Sequence, residues 1–382
     1  MDSRSPAENI TKSIADNSPD LTINVPLKLV IGKHPQSCIH FNNARIYSRR
    51  RVRPMKAAVV PAVSSSWQIK DVSQPEPGLG QVLVKMHASG ICYTDVHQTL
   101  GHLPGQFPRI LGHEPVGEIV GVAPDVTGRK IGDRVGSAWI QSTCGRCEWC
   151  QRGRRMFCPY LKGTGADTQG GHAEYMLMNA DATYLIPDQV SYEQAAPIFC
   201  AGYTVYSGLR WADPQPHERV AVLGIGGLGH LAVQYAKAAG FETIAISHSP
   251  DKDKMIRELG ADEIVPDGKS LTDIGGADII LSTSNSTKAM VDSIQGLRPD
   301  GRFIVMGADA EPLSLSVIEL LFKRIKIIGS QQNGPEYLYE ALDYVAQGKV
   351  KSIIETYPLT EAARAYERVA EGKTRFRAVL TM

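Results

Sequence analysis

The chain has almost no net charge: 41 Lys and Arg stand against 40 Asp and Glu over 382 residues, a formal balance of +1. So even a balance supplies no broad attraction to a polyphosphate or an anionic bilayer, and neither nucleic acid nor a membrane is the expected partner. Long apolar runs are missing too. The best candidate, Val220 to Ala236, has no charged residue but carries four glycines, His230 and Gln234, and it falls short of the roughly 18 residues that a helical span needs. It reads as a strand, a glycine loop and the start of a helix. No apolar segment follows a basic amino terminus, so no secretory signal is visible. Cysteine is scarce: seven residues in a chain of this length are too few for a disulfide scaffold, and an odd number cannot all pair internally. Internal repeats and low-complexity stretches are absent as well.

What is present falls into segments. The length allows two or three domains. Residues 1–54 show little apolar periodicity, with Asp2, Glu8, Asp16 and Asp20 early and Arg45, Arg49, Arg50, Arg51 and Arg53 later. This reads as a disordered extension or an over-extended gene start, with an organelle transit peptide as the alternative that the early acids weaken. From Met55 to about Ala201, short apolar runs such as Gln81 to Met86, Val116 to Val122 and Arg134 to Ile140 are punctuated by Gly, Pro and Asp, the pattern of a β-rich unit. From Gly202 to Gln331 the pattern alternates. Six strand-like runs (Val220 to Leu223, Thr243 to Ser247, Glu263 to Val265, Asp278 to Leu281, Arg302 to Met306, Lys326 to Gly329) are interleaved with helical stretches such as Leu228 to Ala239, Asp251 to Leu259 and Thr287 to Leu297. This predicts a doubly wound parallel sheet, hence an α/β protein. The tail, 332–382, adds helices around Leu338 to Ala346 and Glu361 to Glu371 and a strand at Phe376 to Thr381.

Gly224, Gly226, Gly227 and Gly229 form a G-x-G-x-x-G directly after a strand and, with Leu228, at the mouth of a helix. A lone match is weak evidence, but this setting supplies the chemistry: a tight turn at Gly224, close backbone approach to a pyrophosphate at Gly226, and helix-to-strand packing at Gly229. Free N–H groups of the helix amino terminus would face the phosphates. At the end of the next strand Ser247 stands where a carboxylate would hold the ribose hydroxyls of NAD. Ser247, His248, Ser249 and Lys252 could instead donate to a 2′-phosphate, which favours NADP, with NAD the alternative.

Cys144, Cys147, Cys150 and Cys158 place four thiols within fifteen residues, enough to close a tetrahedral structural zinc site. Disulfides are the competing reading, and a zinc ribbon beside Arg152, Arg154 and Arg155 is a second. Cys92, His113 and Cys200 make a further Cys, His, Cys set with an open position, the form of a catalytic zinc. Singly, each is more simply a buried thiol or a satisfied histidine, and only the combination carries weight. Cys38 has no partner in the pattern.

From Met55 onward these motifs together resemble the zinc-dependent alcohol dehydrogenases of the medium-chain dehydrogenase/reductase superfamily. The resemblance rests on Gly112-His113-Glu114-x-x-Gly117, the four-cysteine lobe and the glycine loop. It implies a GroES-like catalytic domain from residues 55–201 and 332–382, a Rossmann domain from 202–331, and two zinc ions per chain. By the same resemblance Cys92, His113 and Cys200 hold the catalytic zinc and Glu114 lies beside it. Asp95 orients His113, Thr94 bonds the substrate oxygen, and His97 ends a proton relay through the nicotinamide ribose. Zinc then polarises the oxygen of a small alcohol or aldehyde while hydride passes to or from the nicotinamide. Ser247-His248-Ser249 and the stretches Ile280 to Thr283 and Gly372 to Leu380 are similar to the NADP-dependent aldehyde reductase and cinnamyl-alcohol branches. Trp139 matches a pocket wall of the small-alcohol enzymes, whereas Leu103 replaces a second bulky Trp and implies a longer or aromatic substrate. The alternatives are an NAD-dependent alcohol oxidiser, a reductase of C=C or iminium bonds, and a silent binding protein on the same scaffold. Relatives imply a homodimer or homotetramer joined at the edge strand Lys326 to Gly329, working in the cytoplasm, or in an organelle if the extension is a transit peptide.

Overall fold

The computed structural model describes residues 53–382. The expectations for the amino-terminal extension, its transit-peptide alternative and Cys38 lie outside the described residues.

Strands buried on both faces read as unbroken apolar runs, and Arg219–Leu223 is such a strand, buried along its whole length. It lies inside a six-stranded, all-parallel sheet. The strands run in the order Glu263–Val265, Glu242–Ile246, Arg219–Leu223, Ala277–Ser282, Leu297–Val305, Lys326–Gly329. These are the six strands expected from sequence. No end shifts by more than one residue except that the fifth strand begins at Leu297 rather than Arg302. Chain order reverses between Arg219–Leu223 and Ala277–Ser282, and in open α/β sheets ligands bind at the carboxyl ends of strands where that reversal falls. The expected helix from Asp251 to Leu259 opens instead as a 3₁₀ turn, Pro250–Lys252, before the α-helix Asp253–Glu258.

Among the described residues, seven of the remaining strands build a mixed sheet around the long strand Gln81–Ile91, beside a three-stranded and a two-stranded sheet. Glu114–Val122 pairs with it antiparallel, bringing Gly90 opposite Glu114. Tyr175–Asn179 and the carboxy-terminal strand Arg377–Thr381 also pair with it, Ala378 opposite Ile91. The last strand of the chain therefore completes the sheet begun by the first part. Residues Arg134 to Ile140 do not form one strand: Arg134–Ser137 and Ile140–Ser142 are separate, and the break at Ala138 and Trp139 sets Trp139 beside His113, with ring centroids 5.5 Å apart.

A shared core seals the two sheets. Phe199 is fully buried, and a side chain at Gly136 would run into its ring. The helices Ala201–Trp211, Gly229–Ala238 and Pro335–Ala346 pack in the same cluster, where the Tyr235 hydroxyl donates to the Ala341 carbonyl at 3.1 Å. Among the described residues no helix is long and apolar enough to cross a membrane.

Candidate active site and metal centres

Cys92 follows the strand Gln81–Ile91 and caps the helix Tyr93–Thr99. The antiparallel neighbour begins with Glu114, so the pairing of Gly90 with Glu114 carries Cys92 and His113 to one spot. Only glycine serves at position 90, because a Cβ there would collide with the Glu114 carboxylate. Cys200 arrives from elsewhere, at the start of the helix Ala201–Trp211. The Cys92 and Cys200 sulfurs lie 3.9 Å apart. With one ring nitrogen of His113 and one carboxylate oxygen of Glu114 they form a set whose ligand atoms all fall within 4.8 Å of one another.

Two observations test whether this set fits a metal. Thiolates about 2.3 Å from a tetrahedral zinc stand about 3.8 Å apart, close to the spacing of Cys92 and Cys200. His113 Nε2 and Glu114 Oε2 are buried without a hydrogen-bond partner, a costly state that a cation would relieve. The residues fit zinc.

Burial and close contacts shift the members of the set in opposite directions. Asp95 is fully buried; its Oδ2 accepts from the Cys92 N–H at 2.8 Å and its Oδ1 from the Gly112 N–H at 3.2 Å. Oδ1 also stands 3.6 Å from His113 Nδ1. Burial alone would lower the His113 pKa, but the charge of Asp95 and its contact with Cys92 carry it well above the usual histidine value. The contact with Cys200, aided by His113, holds the Cys92 thiol well below its ordinary value, whereas Cys200 is pushed up by that same contact and by burial. Burial raises the Glu114 carboxyl to about 7 against the pull of Arg377.

Thr94 is half-buried, with its Oγ1 3.6 Å from the Cys92 sulfur. His97 follows one turn later on the same helix face, and its Nδ1 is 3.3 Å from Nδ1 of the exposed His102. Leu103 is 37% exposed.

Cys144, Cys147, Cys150 and Cys158 form the other set with ligand atoms within 4.8 Å. Cys144 lies 4.0 Å from Cys150 and 3.7 Å from Cys158, again near the tetrahedral spacing of about 3.8 Å. Backbone N–H groups aim at the sulfurs, that of Cys147 at Cys144 and that of Cys144 at Cys158. Hydrogen bonds from the Arg146 and Cys147 backbone bring the Cys144 thiol down to about 6. No disulfide joins the six described cysteines.

At the reversal point of the parallel sheet Gly224 turns with φ +84°, a conformation that favours glycine. A side chain at Gly229 would strike the Gly224 carbonyl, while one at Gly226 would meet nothing within 4 Å. That open face is the space a pyrophosphate needs. Leu228 caps the helix Gly229–Ala238. Ser247 follows the neighbouring strand and its Oγ accepts from the Ser249 N–H at 3.3 Å; His248 is exposed and Lys252 half-buried.

Sequence reasoning missed Arg377, His172 and His230. Arg377 is buried and pairs with Glu114; its Nη1 stands 3.2 Å from where a Gly227 Cβ would lie. A charged residue opening the apolar run Ala378-Val379-Leu380 was the available signal. His172 is fully buried with its Nε2 3.9 Å from Asp95, and burial lowers it to about 4.

Comparison with known proteins places the chain in a family. Residues 78–188 match the alcohol dehydrogenase GroES-like domain family, and residues 227–347 match the zinc-binding dehydrogenase family. An alcohol dehydrogenase of Geobacillus stearothermophilus is 39% identical over 334 residues, covering 85% of this chain and 99% of the relative. Among solved structures, a cinnamyl alcohol dehydrogenase of Sorghum bicolor is similar at a TM-score of 0.78 and 29% identity, covering 86% of this chain and 98% of its own. A structure described as an NAD-dependent alcohol dehydrogenase reaches a TM-score of 0.80 at 28% identity, with 86% and 100% covered.

Proposed function

This chain belongs to the zinc-dependent alcohol dehydrogenases of the medium-chain superfamily, and from that premise we propose that it interconverts primary alcohols and aldehydes with NADP(H). It is an oxidoreductase acting on CH–OH donors, with a GroES-like domain and a Rossmann-type domain. In this reading residues 55–201 and 332–382 form the catalytic domain and 202–331 the cofactor domain. The convergence of Cys92, His113 and Cys200, the first two buried and Cys200 partly so, with sulfurs spaced for a tetrahedral cation, carries the proposal.

Cys92, His113 and Cys200 would hold a catalytic zinc, and Cys144, Cys147, Cys150 and Cys158 a structural one. A zinc held in the first set supplies a Lewis acid for the substrate oxygen; a nicotinamide on the glycine turn supplies or accepts the hydride. Asp95 fixes the His113 ring from behind through its carboxylate. Thr94 Oγ1 takes the substrate hydroxyl's hydrogen bond. His97, on the same helix face, accepts the proton at Nε2, since its Nδ1 is engaged by His102, which offers the next step to solvent. Trp139 walls the pocket beside His113, and Leu103 in place of a larger ring leaves room for a longer or aromatic substrate.

Preference for NADP(H) rests on Ser247: no carboxylate repels a 2′-phosphate there, and Ser247, His248, Ser249 and Lys252 are grouped to donate to it. Assembly into a homodimer or homotetramer rests on the outer edge of the parallel sheet. There the strand Lys326–Gly329 lacks a neighbour on one side among the described residues, and the adjoining helix Val317–Lys323 leaves Phe322 80% exposed beside Val317, Ile318 and Leu321. A patch of that kind marks an interaction surface. The six described cysteines, none of them in a disulfide, fit a reducing compartment such as the cytoplasm.

The test is a panel of aliphatic, allylic and aromatic aldehydes assayed with NADH and NADPH. Reduction of several aldehydes with a higher kcat/KM for NADPH is the expected result. Absence of turnover with every aldehyde and both cofactors would sink the proposal.

A further inference from the structure

His230 is the second residue of the helix that follows the glycine turn, and it is fully buried. Both ring nitrogens are engaged. Nε2 lies 3.3 Å from the backbone nitrogen of Ile353, and Nδ1 lies 3.1 Å from the carbonyl oxygen of Gly226. A peptide N–H only donates, so Nε2 accepts; a carbonyl only accepts, so Nδ1 carries the proton. The partners thus fix a single neutral tautomer. The ring is also stacked on Phe376, with centroids 4.9 Å apart and planes 16° apart.

The two partners belong to different parts of the molecule. Gly226 is the turn residue whose α-carbon faces open space. Ile353 precedes the strand Ile354–Pro358 of the mixed sheet, and its carbonyl accepts from the N–H groups of Phe376 and Arg377, each at 3.1 Å. Arg377 then pairs with Glu114 beside the Cys92, His113 and Cys200 set. A path of hydrogen bonds, joined through the Ile353 peptide and the Arg377 side chain, runs from the Gly226 carbonyl through His230 to Glu114.

We propose that His230 is a positioning residue for hydride transfer: its Nδ1–H orders the Gly226–Gly227 turn for a dinucleotide, and its Nε2 sets that turn in register with the strand carrying Arg377. This rests on the reading of the glycine turn as the dinucleotide site. A protonated ring would place a donor against the Ile353 N–H, and burial already pushes the group down to about 3.

Two substitutions separate the bonds. His230→Phe keeps the stack on Phe376 and loses both hydrogen bonds. His230→Asn keeps a donor near Nδ1 but is too short to reach Ile353. Cofactor Kd comes from NADPH fluorescence titration and kcat from saturating cofactor, with thermal melts and zinc content measured alongside. With two modest hydrogen bonds removed, His230→Phe is expected to raise Kd about tenfold and lower kcat about fivefold. In His230→Asn the Kd stays within about threefold while kcat falls as in the Phe variant. Zinc content holds in both. Wild-type Kd and kcat in both variants, whatever the melting temperatures, would overturn the proposal. Should His230→Phe not fold, the Asn variant decides alone: an unchanged kcat overturns the proposal, and a lowered kcat with a retained Kd supports it. Failure of the underlying reading is distinct, because the wild type itself would then bind neither NADPH nor NADH.

Discussion

Arg377 pairs with Glu114 across 263 positions of sequence, with side chains 4% and 0% exposed. The pair ties the carboxy-terminal strand to the residue that follows His113. Burial lowers the Arg377 pKa, but the Glu114 charge outweighs it and raises the group above its usual value. Removing one partner of such a pair strands a buried charge, at a cost of about 3 to 5 kcal/mol. Arg377→Met should therefore lose stability of that order in urea titration, while the double variant with Glu114→Gln recovers a good part of it. Costs that simply add in the double variant would mean that the two side chains are not coupled. Because Arg377 also stands at Gly227, Arg377→Met is expected to weaken NADPH binding.

The four-thiol lobe makes a separate prediction. Its sulfurs close on one another with N–H groups directed at them, and a structural zinc contributes folding free energy directly. Cys147→Ser should reduce metal content from two zinc ions per chain to one and lower the thermal midpoint by several degrees. Elemental analysis that still finds two ions would remove this cluster from the metal sites.

Much of this was readable in the chain. The six parallel strands and the glycine turn were legible because each is local: a short apolar run, then a turn whose glycines follow from backbone geometry. The thiol lobe was legible for the same reason, all four ligands lying within fifteen residues. Cys92, His113 and Cys200 could be grouped by ligand chemistry and resemblance but not by spacing, since their meeting depends on the pairing of Gly90 with Glu114 and on a distant helix. The strand Gln81–Ile91 outran its apolar segment by five residues because its far half is held by pairing with Arg377–Thr381. Arg377, His172 and His230 escaped notice because their meaning lies in partners far away in sequence. A histidine after a glycine motif looks ordinary until Ile353, 123 positions on, is found against its ring.

Cofactor choice turns on one position. Ser247 follows the strand next to the glycine turn, and the backbone there is fixed by the Gly224 N–H bonding the Ile246 carbonyl at 3.2 Å. A carboxylate at that site would meet the ribose hydroxyls of NAD and repel a 2′-phosphate. Ser247→Asp is expected to shift the ratio of kcat/KM for NADH over NADPH upward by about tenfold or more. An unchanged ratio in steady-state assays would mean that the adenine pocket lies elsewhere.

Assembly is testable at Phe322, the most exposed large side chain of the helix Val317–Lys323. A charge placed in the centre of an apolar contact is desolvated without a partner on association. Light scattering should find the wild type at a multiple of 41.6 kDa and Phe322→Asp shifted toward the monomer. An oligomer unaffected by the substitution would exclude this face.

His230 also makes stability depend on pH in a stated direction. Burial, together with the charge of Arg377, lowers its pKa from 6.5 to about 3, despite the opposing hydrogen bond to Gly226. Between those values the unfolded chain binds a proton that the folded chain refuses, so stability rises with pH there. The contribution is complete above about pH 6.5 and declines as pH falls, by up to about 1.4 kcal/mol per unit, until the folded group itself titrates. Other acid-sensitive groups add to the observed curve, so the informative quantity is the difference between wild type and His230→Phe in urea midpoints from pH 7.5 down to about pH 5. The variant, which cannot take up this proton when unfolded, should show the shallower decline below pH 6.5. Parallel curves would mean that the ring is protonated in the folded enzyme, and the tautomer that holds Gly226 and Ile353 together would be lost with it.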